Sequence, residues 1–443
     1  MTAFYSHPPQ ILAQNANTGK PLTYSVWDAL AFIIPASTFL EMNNVGRIFG
    51  PDIICLTLFP VLVLKHSKVF NNKLIRIFII LGILYLCGQI LTDLVRQTDF
   101  FDYSRGWAKI IVTIICFCSI SMLIGFRRTR IMYFSWGIAS GLFIKYFINP
   151  MPYAEWEPWK FGVGVPITFV LILTATFFWD NSYLKSYLAF IIVFAAATIN
   201  LYFGFRSLSG ICFLTLGYLL LHNYAWKNID IVTNNPKKRF ILLGIGIITT
   251  AILVLQIYSH SARNGWLGEE QAKKYKAQAN GIYGLIVGGR SEILVSSRAI
   301  MDSPLIGHGS WAKDWEYTDL LIYLKRQFGY VSGPANDIGL IPTHSHLFGA
   351  WVEAGILGGL FWGWVVWIAA RAGIRLFQTS DRHMPFFSFI IFLLVWDILF
   401  SPFGAIRRFL IPFYIIVSID IITRYSRKSG KYQYENFHRN SIL

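Results

Sequence analysis

Residues 74–94 read LIRIFIILGILYLCGQILTDL, and they decide the fold class. Only Arg76 and Asp93 carry charge there, each close to one end. A helix needs about 20 apolar residues to cross the hydrocarbon of a bilayer. Lipid offers no partner for backbone N–H and C=O groups, so such a stretch must be helical to satisfy itself. Runs of the same kind recur near 26–42, 51–65, 108–126, 130–149, 160–179, 184–204, 207–225, 239–258, 346–370, 385–402 and 406–424. The pattern predicts an all-α polytopic membrane protein with about twelve transmembrane helices.

Composition agrees. The 443 residues are 55% hydrophobic and 14% charged, whereas soluble domains carry about 25% charge. Aromatic residues reach 17%, as expected of a chain with wide membrane–water interfaces. The five cysteines (Cys55, Cys87, Cys116, Cys118, Cys212) all lie inside apolar runs and read as buried small apolar residues. The first 25 residues are polar, include Pro8, Pro9 and Asn15, and read as a short cytoplasmic tail without a cleavable signal peptide.

The net charge of +16 sits largely in short loops between apolar runs. That is the positive-inside pattern, and it leaves no reason to invoke nucleic acid. One alternating set of loops holds Lys65, Lys68 and Lys73, then Arg127, Arg128 and Arg130, Lys185, Lys227, Lys237, Lys238 and Arg239, and finally Arg371, Arg375 and Arg382. The opposite set holds Asp93, Asp99, Asp102, Glu155 and Glu157. Both termini are therefore expected in the cytoplasm. Residues 1–258 then form nine spans, 259–345 one large extracytoplasmic loop, and 346–443 three spans with a basic tail. A loop of that length is uncommon unless it is functional. Within it, DWEYTDLLIYLKRQF places Tyr317, Leu320, Leu321, Leu324 and Phe328 at helical spacing, which predicts an amphipathic helix lying on the membrane or capping a cavity. SEILVSSRAIMDSP predicts a second helix, ended by Pro304.

Four places on the outer side hold polar residues that spanning does not require. Arg206 opens the eighth span, where it either snorkels or binds an anion. Arg290 and Arg298 are eight positions apart, about 80° around a continuous helix, so both are expected to face one site. Gly307 and Gly309 follow in a tight turn whose N–H groups either close the turn or face an anion. His344 and His346 stand where the loop meets the tenth span, suited to proton transfer, or to a metal if further ligands were near. Glu353 enters that span and is expected either to act in the site or to pair with an arginine. Arg407 and Arg408 open the last span on the outer side, either snorkelling or contacting an anionic substrate.

The arginine at a span's outer end, the stretch R-x-E-I-L…P-L-I-G-H-G and the stretch H-S-H-L-F…E-A-G-I-L-G, in that order over residues 200–370, resemble the O-antigen ligase and Wzy-type polymerase superfamily. The family pattern of His-Asn followed by Glu-x-Gly falls on His344, with Ser345 in the Asn position and His346 as an extra histidine. Either histidine could then be the base, with His344 in the family position. The tryptophan common after the family's loop arginine is absent, Leu294 and Val295 filling that region. The resemblance implies a GT-C-like fold in a bacterial inner membrane. It implies transfer of a glycan from an undecaprenyl-diphosphate carrier to a lipid- or glycan-linked acceptor on the periplasmic side. It also implies no cofactor or metal, with a chain-length regulator as a further partner. His344 would be the base and Arg206 and Arg290 would hold the diphosphate. Arg298, His346, Glu353, Gly307, Gly309 and Arg408 would bind substrate. A transporter or flippase for lipid-linked glycans is the alternative that a twelve-span chain suits.

The orientation is testable directly. Alkaline phosphatase fused after Gly268 is expected to be active and after Lys227 inactive; the reverse pattern would invert the topology.

Overall fold

The apolar runs fold as helices wherever the computed structural model describes them, which is over residues 25–43, 46–179, 183–227, 236–269, 272–273, 275–276, 290–327 and 339–440. The N-terminal tail up to residue 24 and Phe328 of the amphipathic segment lie outside the described residues. In chain order the helices are α1 (Val26–Ala36), α2 (Gly50–His66), α3 (Lys73–Arg96), α4 (Phe100–Ile124), α5 (Arg128–Ile148), α6 (Gly164–Phe178), α7 (Tyr183–Tyr202), α8 (Arg206–Lys227) and α9 (Pro236–Arg263). They continue as α10 (Glu292–Asp302), α11 (Trp315–Gln327), α12 (His346–Ala354), α13 (Ile356–Phe377), α14 (Met384–Phe400) and α15 (Arg407–Asn440). The one sheet among the described residues is a two-residue hairpin pairing Glu41–Met42 with Ile48–Phe49.

Seven helical segments among the described residues are long and apolar enough to cross a membrane: Gly50–Asn71, Lys73–Arg96, Phe100–Ile124, Arg128–Ile148, Trp159–Phe178, Leu243–Arg263 and Ile356–Phe377. Three shorter apolar helices accompany them, Val26–Phe39, Ser186–Tyr202 and Met384–Phe400. Many residues on these helices are large, apolar and exposed, among them Leu64, Ile80, Leu94, Phe147 and Ile248. A water-soluble protein would bury such residues; a lipid-facing surface keeps them. Cys87 also lies on the exposed surface, unlike the other four cysteines, which are buried.

Small residues let neighbouring helices approach. Gly137 and Gly141, four apart on α5, face α1 so closely that a Cβ would lie 2.3 Å from the Phe32 carbonyl oxygen and 2.5 Å from that of Pro35. This is the small-xxx-small contact of membrane helices, where van der Waals packing replaces the hydrophobic effect. Arg130 Nε donates to Asp28 at 2.7 Å and ties the same two helices at one end.

That end of the bundle is clamped around Asp381. Its carboxylate accepts from Arg128 of α5 at 2.5 Å and from the hydroxyl of Tyr425 on α15, and the His383 N–H donates to it at 2.9 Å. Arg424 reaches across to the Phe126 carbonyl at 2.8 Å. Three segments far apart in sequence are thereby fastened together.

The apolar run 346–370, expected as one span, is broken. Gly355 (φ 64°, ψ −153°) separates the nine-residue α12 from α13. The Ile356 N–H turns to the Leu305 carbonyl at 3.2 Å, and a Cβ on Gly355 would stand 2.0 Å from that oxygen. Only glycine adopts this backbone without strain and leaves room for the loop. At the break the last residues of α12 meet the large loop, where the Val352 and Glu353 carbonyls accept from His308 and Gly309.

Gly355→Ala is expected to destabilise the protein by about 1–3 kcal/mol through overpacking. This should be read as a lowered unfolding temperature in detergent, whereas Gly363→Ala, with open space at its Cβ, leaves it unchanged.

Candidate functional site

One polar face of α3 holds the large loop to the bundle. Gln89, Thr92, Asp93 and Arg96 recur at helical spacing, so they share that face. Asp93 accepts from the Ser310 N–H and hydroxyl, each at 2.7 Å, and from Trp107 Nε1 at 2.8 Å. Gln89 Nε2 donates to Ser310 Oγ at 2.8 Å, and Thr92 donates to the Ile306 carbonyl. Arg96 donates to the Gly307 carbonyl at 3.0 Å and to Ser303 Oγ at 2.8 Å. From α4, Gly106 admits Ser310 so closely that a Cβ would lie 2.0 Å from its hydroxyl.

Above this anchor, α10 and α11 pack on α12 through a second small core of Val295, Ala299, Tyr317, Ile341 and Val352. The predicted amphipathic helix α11 thus caps a cavity. Thr318, Leu321, Ile322 and Lys325 form its side of a chamber of about 500 Å³, with Tyr85 and Lys109 contributed by the bundle and His344, Ser345 and Glu353 by the loop–α12 join.

His344 lies on that wall, just before Ser345, which caps α12 by accepting from the Phe348 N–H at 3.2 Å. Burial lowers its pKa below the ordinary imidazole value; Glu292 opposes the shift, and Arg290, Arg407 and Lys325 reinforce it. The ring is therefore neutral near pH 7, the form in which it can accept a proton. His346 also borders the chamber, but it is fully buried, packed against Trp362 and Phe403 with Nδ1 at the Asp397 carbonyl. Among the described residues no group of three or more His, Cys, Asp or Glu is placed to hold a metal ion.

Arg290 stands beside the chamber, outside its lining. Its guanidinium carbon lies 5.8 Å from the Trp396 ring centre and 5.6 Å from that of Phe400, and it makes no ion pair among the described residues. Burial depresses its pKa, Glu292 opposes this, and the nearby charge of Arg206 adds to the depression. Arg206, the first residue of α8, donates to the Tyr258 hydroxyl at 2.9 Å. Arg206, Arg290 and His344 thus form a chain in which each cation is close enough to perturb the next group.

The other predicted ligands are occupied. Arg298 pairs with Asp302 at 3.1 Å on an exposed face and does not share a site with Arg290. The reason is local: α10 begins only at Glu292, so Arg290 precedes it and the helical angle between the two arginines does not apply. Gly307 and Gly309 have the left-handed backbone of a tight turn (φ 87° and 99°), yet their N–H groups donate to Ser303 and Glu353 carbonyls at 3.1 Å. That of His308 goes to Val352 at 2.7 Å. The turn docks on α12 and presents no free nest to an anion. Arg408 donates to Asp52 at 3.1 Å and to the Arg47 carbonyl at 2.5 Å, which fastens α15 to the start of α2. Glu353 lines the chamber, and its partner is a lysine where an arginine was expected: Lys109 Nζ lies 2.6 Å from its carboxylate.

Lys109 was missed because it hides in the apolar run 108–126, its partner 244 residues away. Its signal was a lone cation in a span, and the α3 face was signalled by polar residues at helical spacing. Lys145 and Asp397, the clearest ionisable residues inside the other apolar runs, are each in an ion pair, with Glu41 and Arg407 respectively.

No protein-family model, curated protein or solved structure matches this chain.

The Lys109–Glu353 pair is largely buried, at 11% and 18% side-chain exposure. Removing one partner of such a pair strands the other, at a cost of about 3 kcal/mol. Lys109→Ala is expected to lower thermal stability by this order, and Lys109→Ala with Glu353→Gln to regain much of it. A double variant no more stable than the single would show that the pair is not coupled.

Proposed function

We propose that this protein is a membrane glycosyltransferase that moves a glycan from a polyprenyl-diphosphate carrier to a sugar hydroxyl, as the resemblance to O-antigen ligases and polymerases implies. The observation that carries the reading is the neutral imidazole of His344 on the wall of the chamber, with Arg290 and then Arg206 next to it. In this reading the acceptor hydroxyl gives its proton to His344 as its oxygen bonds to C1 of the donor sugar. The C1–O bond to the diphosphate breaks, and the charge left on the phosphate oxygens is taken up by the two guanidinium groups. The unpaired state of Arg290 among the described residues supports such a role, since a desolvated cation without a carboxylate favours an incoming anion. Pairing of Lys145 and Asp397 weighs against the transporter alternative.

The fuller topology belongs to the same proposal. All twelve apolar runs cross a bacterial inner membrane in a GT-C-like arrangement, with α12 and α13 together making one interrupted crossing. Both termini are cytoplasmic and the chamber is periplasmic.

His344→Ala and Arg290→Ala are expected to lower glycan transfer by at least about 10²-fold while insertion and folding persist. Because a base must be unprotonated and His344 is depressed, transfer should hold as pH falls to about 6.5 and decline only below it. That acid limb should vanish in His344→Ala. Full transfer in both variants would remove the mechanism. In a deletion strain, loss of all polymer from lipid A would indicate a ligase, and a single repeat unit left on it a polymerase.

A further inference from the structure

The chamber and Arg290 differ in charge. Among the described residues lining the chamber, the ionised groups are two ammonium groups and two carboxylates, and they are matched: Lys109 with Glu353 at 2.6 Å, and Lys325 with Glu292 at 3.8 Å. With His344 neutral, the wall has no surplus of positive charge. A diphosphate placed there would lose its hydration without gaining a counter-charge. Arg290, which makes no ion pair among the described residues, lies beside the chamber, and neither it nor Arg206 belongs to the lining.

What the chamber offers is what an uncharged, hydroxyl-rich molecule needs. Paired ammonium and carboxylate groups supply donors and acceptors without a net field. The Thr343 hydroxyl stands on the same wall, beside those of Thr318 and Ser345, which donate to the Leu340 and Ile398 carbonyls. Its volume of about 500 Å³ is that of a small-molecule site. Trp311 adds an aromatic surface to the wall, with the Arg105 guanidinium 5.8 Å from the centre of its ring.

The backbone of Trp311 singles it out. Its φ is +52°, a region that L-residues avoid. The chain is held there from both sides. Ser310 before it is bonded to Asp93, and the carbonyl of Ala312 after it accepts from the Ile341 N–H at 2.9 Å. A bulky side chain in a disfavoured conformation, pinned by flanking anchors and open to a cavity, is a frequent mark of a ligand contact. Aromatic rings that face sugars do so through the apolar face of the pyranose, where C–H groups meet the π cloud.

We propose that the chamber is the acceptor subsite, that it takes an uncharged saccharide segment stacked on Trp311, and that the donor diphosphate is held separately at Arg206 and Arg290. The assignment of the saccharide as acceptor rests on the transferase reading. The binding of an uncharged saccharide does not. His344 sits on the chamber wall within reach of the Arg290 charge, as a base serving one subsite and facing a leaving group held by the other would have to be.

The test uses the full-length protein in detergent. The probes are oligosaccharides released by mild acid from the host's own surface glycans, and inorganic pyrophosphate. Wild type is expected to bind the oligosaccharide, with pyrophosphate in excess failing to displace it. Trp311→Ala is expected to weaken that binding at least tenfold, while Trp311→Phe, which keeps a stacking face, stays within threefold of wild type. Arg290→Ala should leave it unchanged. Equal affinity in wild type and Trp311→Ala, competition by pyrophosphate, or loss of saccharide in Arg290→Ala would each overturn the two-subsite assignment. Glycan transfer unaffected by Arg290→Ala and His344→Ala would defeat the transferase reading alone, because saccharide binding is measured without turnover.

Discussion

The carboxylate of Asp93 bears the loop, and with it the site. It is buried and takes three donors, two from Ser310 and one from Trp107. Hydrogen bonds to a charged group contribute about 1.5–3 kcal/mol each, and at a bundle end sheltered from water the alternative is an unsatisfied anion. If Ser310 left, Asp93 would keep only the Trp107 donor. From this point the chain runs back through Gly309 and Gly307 to α10 and forward through Trp311 to α11, so both helices are placed by this contact together with the bonds from Gln89, Thr92 and Arg96.

The hydropathy of the chain made its helices legible, because a lipid-spanning segment has few ways to be anything else. The apolar runs are helical over most of their length, and the two helices expected inside the loop are α10 and α11. What sequence could not disclose is the break at Gly355. The run stays apolar across it, and glycine in a membrane helix is common enough to pass unremarked. The reason for the break is a carbonyl at Leu305, about fifty positions earlier, for which local sequence carries no sign.

The same distinction governs the site. His344 and Glu353 were legible because imidazole and carboxylate are conspicuous at a membrane join, and both line the chamber. Arg298, Arg408, Gly307 and Gly309 looked like anion ligands because their donors seemed idle. Each is satisfied: Arg298 by Asp302 and Gly307 by the Ser303 carbonyl, both one turn away, and Arg408 and Gly309 by Asp52 and the Glu353 carbonyl, which the one-dimensional reading could not supply. Lys109 failed in the opposite sense, since a single lysine in a hydrophobic run reads as tolerated noise until its carboxylate is found. Availability of a charge is a three-dimensional property, and that is where residue-by-residue inference stops.

The clamp at Asp381 has a mechanical corollary. Helix α15 is pinned at two points: Tyr425 and Arg424 hold it beside Asp381 and Phe126, and Arg408 holds its other end at Asp52. It is thus a beam supported at both ends and not a cantilever, so bowing is greatest between the two fastenings while its ends stay in register with α5 and α2.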